Sequence, residues 1–372
     1  MQPRRQAKRR GWRDLLVFAL ALGVIAAPAS AATAAAPPPL WKKGQNCGTF
    51  IECGFKAEKA KSGLKLVETT IPRGIASDPE TGHLYVADQN NQRIVELTAW
   101  GDFVKAWGWG VKDGSPELQT CSAESGCLQG KSGSGKGQLN TPQGVAVDSA
   151  GGIYVVDWNN NRVQKFDREG DFLWMVGGDV NKTKVEAAAP EAQRNRCPVD
   201  PGDVCQAGTT GAGNGQFSPW PVSSYIAAGP GDTIYVGDKA RIEKFDSSGA
   251  YLSQIALPEK NEKGEALPAP ASAEVGALAV DPLTGFLYYA YRNGVELNFN
   301  EAKHNVFKLD PTTGKVVKTL EVGIPKALAT DEQGGVYVFD QRAIGNKSAP
   351  GNHITRVLKF NSAGNFVEVV AQ

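Results

Sequence analysis

The chain repeats one pattern of apolar and polar positions five times. Each copy has an apolar segment ending at or near an acidic residue, a tight turn, and then an aliphatic–Tyr segment. In the second copy these segments are 144–148 and 153–157, and the second of them is apolar at consecutive positions. Consecutive apolar positions in a short segment are typical of a strand buried on both faces. One unit of this size cannot cover both of its faces, so the pattern predicts stacked repeats. The other copies occupy 74–78 with 84–88, 234–238, 277–281 with 287–291, and 327–331 with 336–340.

Each repeat divides into four short predicted strands. In the second copy the third and fourth strands are 162–167 and 172–176, joined by the turn-forming residues 168–171. Radial repetition of such four-stranded sheets is the β-propeller, so we predict an all-β fold with five recognisable blades. The alternative is a six-bladed ring with one degenerate blade. Residues 41–70 are too short for a full blade, although 64–68 could supply one strand.

Blade 2 resembles an NHL repeat through the segments 142–148, 153–157 and 160–166. Blade 1 resembles it through 72–76, 85–88 and 91–94, and the resemblance extends over 71–372. The resemblance implies a β-propeller of NHL-type blades. Blade 4 departs from the pattern, because Tyr291 stands where the other blades have Asp and Asn305 stands where they have Arg.

An acidic and a basic residue recur with related spacing around the second-to-third-strand connection of three blades. One interpretation is a charged ring for ligands. We favour a structural ion pair that braces each loop, because a bidentate Arg–carboxylate contact is a standard bracing device. The pairs are Asp88/Arg93, Asp157/Arg162 and Asp238/Arg241. The acids that follow the first strands, for example Asp148, are expected to cap turns rather than to bind calcium.

The N-terminal residues predict a signal peptide. A basic segment is followed by the apolar stretch 15–27 and by an A-x-A site at 29–31, which predicts cleavage near Ala31. We therefore divide the chain into a signal peptide at 1–31, an Ala/Pro-rich spacer at 32–46 and an NHL-type propeller at 47–372. The predicted location is secreted or extracytoplasmic, with no membrane span in the mature chain. Sec and twin-arginine export both remain open.

The net charge and the cysteine content narrow the range of possible functions. Without residues 1–31 the chain has 34 basic and 38 acidic residues, a net charge of −4, which gives no electrostatic footprint for nucleic acid. The six cysteines fall into three close pairs, each in its own Gly-rich segment. In an oxidising compartment we expect three local disulfides. The expected bonds join Cys47 and Cys53, Cys121 and Cys127, and Cys197 and Cys205.

The long connections are predicted on one face of the propeller. In an antiparallel blade the fourth-to-first and second-to-third connections emerge together, and all the inserts belong to these two types, at 110–140, 178–216, 256–274, 291–304 and 341–353. Loops of this kind carry function on repeat scaffolds. We therefore predict a monomeric, non-catalytic binding or scaffold protein that recognises a protein, peptide or glycan through this face. Trp109, Trp158 and Trp220 are the candidate binding residues, whereas Trp100, Trp107 and Trp174 are expected to pack between blades.

The alternative function is an extracellular metal-dependent propeller lyase or hydrolase. The resemblance makes this worth weighing, since some secreted NHL propellers are lyases that hold zinc with three histidines. Here His83 lies in a first-to-second-strand turn, on the face opposite to His304 and His353, which disfavours a shared zinc site. We predict no metal, no cofactor and no catalytic residue.

Overall fold

The computed structural model describes residues 74–218, 225–239, 241–267, 273–293, 305–343 and 353–371. These residues form five antiparallel sheets that follow one another along the chain. The described residues form a five-bladed β-propeller, as predicted. The predicted signal peptide, the spacer, residues 64–68, Cys47 and Cys53 all belong to residues 1–73, which lie outside the described part.

The strands of each blade follow the chain from the inner to the outer edge of the sheet. Blade 1 has β1 Ile75–Ser77, β2 Leu84–Asp88, β3 Arg93–Leu97, β4 Phe103–Trp109 and β5 Leu118–Ser122. Blade 2 has β6 Pro142–Val147, β7 Ile153–Asp157, β8 Arg162–Phe166, β9 Phe172–Val176 and β10 Arg196–Cys197. Blade 3 has β11 Tyr225–Gly229, β12 Thr233–Asp238, β13 Arg241–Phe245 and β14 Tyr251–Ala256. Blade 4 has β15 Ala273–Val280, β16 Leu287–Asn293, β17 Asn305–Leu309 and β18 Val316–Glu321; blade 5 has β19 Ile324–Thr330, β20 Val336–Ala343, β21 His353–Phe360 and β22 Phe366–Ala371.

Consecutive apolar positions are explained by burial between blades. Tyr154 and Val156 of β7 pack towards blade 3, whereas Ile153 and Val155 pack towards blade 1. All four side chains are fully buried. Further clusters of the same kind lie between blades 3 and 4 and between blades 4 and 5. The core therefore consists of layers between blades rather than a single centre.

The third-to-fourth-strand turns seal the interfaces between blades. Gly170, in the turn of blade 2, has φ 92°, and a β-carbon there would lie 2.7 Å from the Trp107 ring of blade 1. Gly249 of blade 3 stands in the same relation to Trp174 of blade 2. Trp107 and Trp174 are buried between blades, as expected. The expectation for Trp100 was wrong, because it lies in the exposed turn after β3 with 58% of its surface accessible.

Blades 1 and 2 each carry a fifth strand that the sequence did not predict. β5 pairs with β4 and β10 pairs with β9, so part of each insert extends the outer edge of its own blade. The insert of blade 2 also contains two short helices, α1 Lys182–Glu186 and α2 Glu191–Arg194. Within the described residues, no helix is long and apolar enough to cross a membrane.

Candidate functional site: the disulfide-closed inserts of blades 1 and 2

The second-to-third-strand connections of blades 1 and 2 have the same construction. Each is a one-turn 3-10 helix, Gln89–Asn91 or Trp158–Asn160, followed by a residue in the left-handed region. In blade 2, Arg162 Nε donates to Asp157 Oδ2 at 2.8 Å, and Asn160 Nδ2 donates to the same oxygen at 2.8 Å. Arg93 contacts Asp88 in blade 1 at the same 2.8 Å distance, and both pairs are buried.

The arginines also hold the inserts that lie beside them. Arg162 donates through its terminal nitrogens to the backbone carbonyls of Ser134, Gly135, Gln138 and Gln206. The first three of these carbonyls belong to the insert between blades 1 and 2, and the fourth belongs to the insert between blades 2 and 3. The geometry makes Arg162 an internal clamp between two inserts rather than a ligand-facing cation.

Blades 1 and 3 use their arginines in the same way. Arg93 Nη1 donates to Leu128 O at 3.1 Å. Arg241 pairs with Asp238 at 3.0 Å and donates to Ala212 O and Gln216 O, both at 2.7 Å. The three predicted Asp/Arg pairs therefore occur as ion pairs, and each arginine reaches from its blade to an insert. A related pair, Asp340/Arg356 at 2.9 Å, lies in blade 5.

Burial and ion pairing act in opposite directions on the Asp157/Arg162 pair. Burial raises the pKa of Asp157 and lowers the pKa of Arg162, because each charged form loses hydration. Their mutual attraction opposes both shifts, and the amide donors around Asp157 oppose the shift of the Asp157 pKa alone. Removing one partner would leave a buried charge uncompensated.

Two disulfides close the inserts, in agreement with the predicted local pairing. Cys121 of β5 is bonded to Cys127, and Cys197 of β10 is bonded to Cys205. Each bond ties an outer edge strand to the loop that follows it. Beside the second cysteine of each pair lies an exposed aliphatic side chain, Leu128 with 48% and Val204 with 54% of its surface accessible.

The third expected disulfide is not tested by the structure. Cys47 and Cys53 both lie outside the described residues, so the expected bond between Cys47 and Cys53 is not confirmed and stays a prediction. The described site therefore consists of two closed inserts, where three were expected.

Of the three candidate tryptophans, Trp109 and Trp158 are less exposed than these aliphatic side chains. Trp158 is half-buried in its 3-10 helix and packs against the core between blades 2 and 3. Trp109 is half-buried at the end of β4. Trp220 lies outside the described residues. The exposed apolar positions next to the disulfides were missed by sequence reasoning, which looked for aromatic residues.

A cavity of about 350 Å³ lies between the blade 2 insert and the outer hairpin of blade 3. Polar side chains of Glu191, Gln193, Asn195 and Arg196 line one side, and the Tyr251 ring lines the other. Desolvation raises the pKa of Tyr251, so its hydroxyl remains protonated at neutral pH. This cavity could not be predicted from the sequence, because the helices of the insert and β10 were not predicted.

The histidines do not form a cluster within the described residues. His83 Nδ1 contacts Glu96 Oε1 at 2.6 Å in blade 1, and His353 begins β21. His304 lies outside the described part. Among the described residues there is no group of three or more His, Cys, Asp or Glu side chains placed to hold a metal ion. The acids after the first strands cap turns; Asp148 Oδ1, for example, accepts from the amides of Ala150 and Gly152.

Comparison with known proteins finds NHL repeats in blades 1 and 2. The family model of the NHL repeat matches residues 69–97 and 139–166, which correspond to the inner strands of blades 1 and 2. Human NHL repeat-containing protein 3 is 31% identical over 136 residues, covering 36% of this chain and 33% of the human protein. The mouse protein of the same name is 27% identical over a segment of the same length. These matches support an NHL-repeat β-propeller family, and the matched part of the chain spans about a third of the length of these relatives.

Other matches are either shorter or come from solved structures of low sequence identity. Protein lin-41 of Caenorhabditis elegans is 52% identical over 44 residues, covering 12% of this chain and 4% of that protein. A structure described as a nidogen/laminin complex covers 81% of this chain and 80% of its own, with 15% identity and a TM-score of 0.42. A gluconolactonase from Xanthomonas campestris covers 82% of this chain and 76% of its own, with 12% identity and a TM-score of 0.43.

Proposed function

We propose that this protein is a secreted, monomeric, non-catalytic binding protein that recognises its partner through the inserts of blades 1 and 2. The partner is a protein, a peptide or a glycan. The main observation behind this proposal is that both disulfide-closed loops expose an aliphatic side chain next to a cysteine, Leu128 in one loop and Val204 in the other. The predicted signal peptide and the two disulfides support export to an oxidising compartment.

The way the inserts are held supports a binding role. Disulfides and arginine clamps fix the loops before a partner arrives, so less conformational entropy is lost on binding. An aliphatic side chain on a fixed loop offers apolar surface that a partner can cover. Trp109, Trp158 and Trp220 remain candidate contributors around this surface.

The test is a comparison of two sets of charge substitutions. A partner is first captured from the secreted fraction with the purified protein, and its affinity is measured by titration calorimetry. Leu128→Asp and Val204→Asp are each expected to weaken binding by about tenfold or more, because both remove apolar contact and bring a charge into the interface. Leu283→Asp is the matched control, since Leu283 is also exposed but lies in a first-to-second-strand turn of blade 4.

The two sets have opposite expected outcomes. The control variant is expected to bind with unchanged affinity. Loss of affinity in Leu283→Asp, with full affinity in both loop variants, would place the binding surface on the turn side of the molecule. All three positions are exposed, so none of these variants is expected to unfold the protein.

A further inference from the structure

The cavity between the blade 2 insert and the outer hairpin of blade 3 contains an arginine N–H group without a partner. Arg196 of β10 lines this cavity, whereas the next residue, Cys197, packs against Met175 on the other face of the sheet. Arg196 Nε is buried, and no atom of the described residues accepts its hydrogen. A buried donor without a partner is uncommon in a native protein. An acceptor on a bound ligand would satisfy it.

The carboxylate of Asp246 is close enough to affect Arg196 but is engaged in its own turn. Asp246 Oδ1 accepts from Ser248 N at 2.8 Å, from Ser248 Oγ at 2.7 Å and from Ala250 N at 3.0 Å. Burial raises the pKa of Asp246, but these hydrogen bonds and the charge of Arg196 outweigh it, so the pKa is lowered and the group is ionised. A second carboxylate, Glu191, also lines the cavity. The positive charge of Arg196 is therefore balanced nearby, which disfavours a strongly anionic ligand such as a phosphate.

The opposite wall of the cavity is an aromatic ring that is held in place. The Tyr251 ring meets the Phe245 ring edge-on, with the two centres 5.9 Å apart. Phe245 in turn lies 6.1 Å from Phe217, and both phenylalanines are fully buried. Tyr251 therefore offers an apolar surface whose position is fixed before any ligand arrives.

A glycine keeps the space between the two walls open. Gly215 has φ 70°, in the left-handed region that favours glycine. A β-carbon at this position would lie 3.9 Å from the β-carbons of both Asn195 and Tyr251, so a larger side chain would begin to fill the gap between the insert and the hairpin. The cavity of about 350 Å³ is within the size range of small-molecule sites.

The other polar groups of the cavity provide donors and acceptors. Glu191 Oε1 accepts from Gln216 Nε2 at 2.9 Å, which holds the carboxylate beside the cavity. Asn195 is fixed on both sides, because its Oδ1 accepts from Asp179 N and its Nδ2 donates to Asn214 O. Gln193 is exposed, and its amide can both donate and accept. The wall opposite Tyr251 thus combines a cation, an anion and an amide.

We propose that this cavity binds a neutral saccharide unit, with the sugar ring against Tyr251 and a hydroxyl oxygen accepting from Arg196 Nε. A hydroxyl group both accepts and donates, so one sugar can satisfy Arg196 and donate to the Glu191 carboxylate. The C–H groups of a pyranose ring are apolar and can cover an aromatic ring. Neither Leu128 nor Val204 lines the cavity, so this site is separate from the proposed partner-binding surface and does not depend on it.

Saturation-transfer NMR on the intact protein tests the proposal. The probes are the methyl glycosides of glucose, galactose, mannose and N-acetylglucosamine, and at least one of them is expected to give a saturable signal. Tyr251→Ala and Arg196→Gln are each expected to abolish that signal. Trp100→Ala is the matched control for an accessible aromatic residue elsewhere on the molecule. Arg194→Gln is the matched control for an arginine of the same insert that pairs with Asp179 and does not line the cavity.

Two further variants separate binding from folding. Tyr251→Phe retains the ring and is expected to keep the signal. Ala192→Trp places a large side chain at an exposed position of the cavity wall, so it should abolish the signal without unfolding the protein. The absence of a signal with all four probes, or a signal that persists in both Tyr251→Ala and Ala192→Trp, would overturn the proposal. Loss of the signal in Trp100→Ala with retention in Tyr251→Ala would also overturn it, because the sugar would then lie on the exposed turn of blade 1.

Discussion

At the scale of single residues, two equivalent positions in neighbouring blades hold different side chains, a glutamine in blade 2 and a glutamate in blade 3. Gln164 of blade 2 lies two residues after its clamp arginine, accepts from Gly137 N at 3.0 Å and donates to Gln138 O at 2.6 Å. Glu243 of blade 3 lies two residues after Arg241 and is fully buried. A carboxylate has no proton to donate where the glutamine donates, so a neutral carboxylic acid suits this position better.

The surroundings of Glu243 favour the neutral form. Burial raises its pKa to about 8, and the nearby Asp238 carboxylate adds to this effect. Arg241 opposes the shift from 3.2 Å but also bonds to Asp238 and to insert carbonyls. Tyr251 lies close enough for Glu243 to raise the pKa of its phenol as well.

The first prediction follows from this raised pKa. The folded-state pKa of Glu243 exceeds its ordinary value, so its contribution to stability is complete below about pH 4.5 and is lost as the pH rises towards about 8. Glu243→Gln keeps the shape, donates a hydrogen bond and removes this titration. We expect the variant to be more stable than the wild type by on the order of 1–3 kcal/mol at pH ~9, and by less at pH ~5. Urea unfolding at both pH values measures the difference, and parallel pH profiles of the two proteins would contradict the assignment.

The second prediction concerns the clamp in blade 2. Arg162→Lys retains a charge but cannot contact Asp157 and four backbone carbonyls at the same time, so we expect a loss of about 3–5 kcal/mol in unfolding free energy. Arg194→Lys is the matched control. Its ion pair with Asp179 is only part-buried, in contrast to the fully buried Arg162/Asp157 pair, so the change should cost less than about 1 kcal/mol. Equal losses in the two variants would show that Arg162 is not a clamp.

At the scale of elements, the inserts are partly folded into the blades that precede them. β5 and β10 are short, and neither has an alternating apolar pattern that marks a strand in isolation. Their pairing depends on the free edges of β4 and β9, which a local sequence window does not contain. The sequence therefore predicted the position of the inserts and the cysteine pairs within them, but not these edge strands, the two short helices or the cavity beside Tyr251.

The third prediction tests whether the disulfide between Cys197 and Cys205 stabilises only its own loop or the whole of blade 2. Replacing Cys197 and Cys205 together by Ala should lower the unfolding free energy by only about 2–3 kcal/mol, because the closed loop is short. Exchange of amides in 196–205 should accelerate while that of β7 and β8 does not. A larger loss, or faster exchange throughout blade 2, would show that the bond supports the blade itself.

The fourth prediction concerns the cysteine pair outside the described residues. Non-reducing peptide mapping of the unaltered protein is expected to recover one peptide in which Cys47 is bonded to Cys53, because the two cysteines are close in sequence and the other four are already paired locally. A bridge from Cys53 to a cysteine of either insert would contradict the local pairing. Free thiols at both positions would show that this segment is not closed by a disulfide.

At the scale of the whole molecule, the five repeated segments of the sequence correspond to the five sheets of the described residues, so the repeat alone predicts the architecture. Consecutive apolar residues such as Ile153 and Tyr154 proved to face different neighbours, which is why strict alternation is absent. The repeat pattern did not predict the position of Trp100 correctly. This residue lies in an exposed turn after β3, and the sequence of the turn does not show whether a neighbouring blade covers it.

The arginine clamps have a consequence for engineering. Arg162 and Arg241 recognise the inserts through backbone carbonyls, which every amino acid carries, rather than through particular side chains. The inserts of blades 1 and 2 can therefore accept foreign loop sequences, provided that the grafted backbone presents its carbonyls at the same places. These two blades form a ready frame for displaying designed peptides on a rigid carrier.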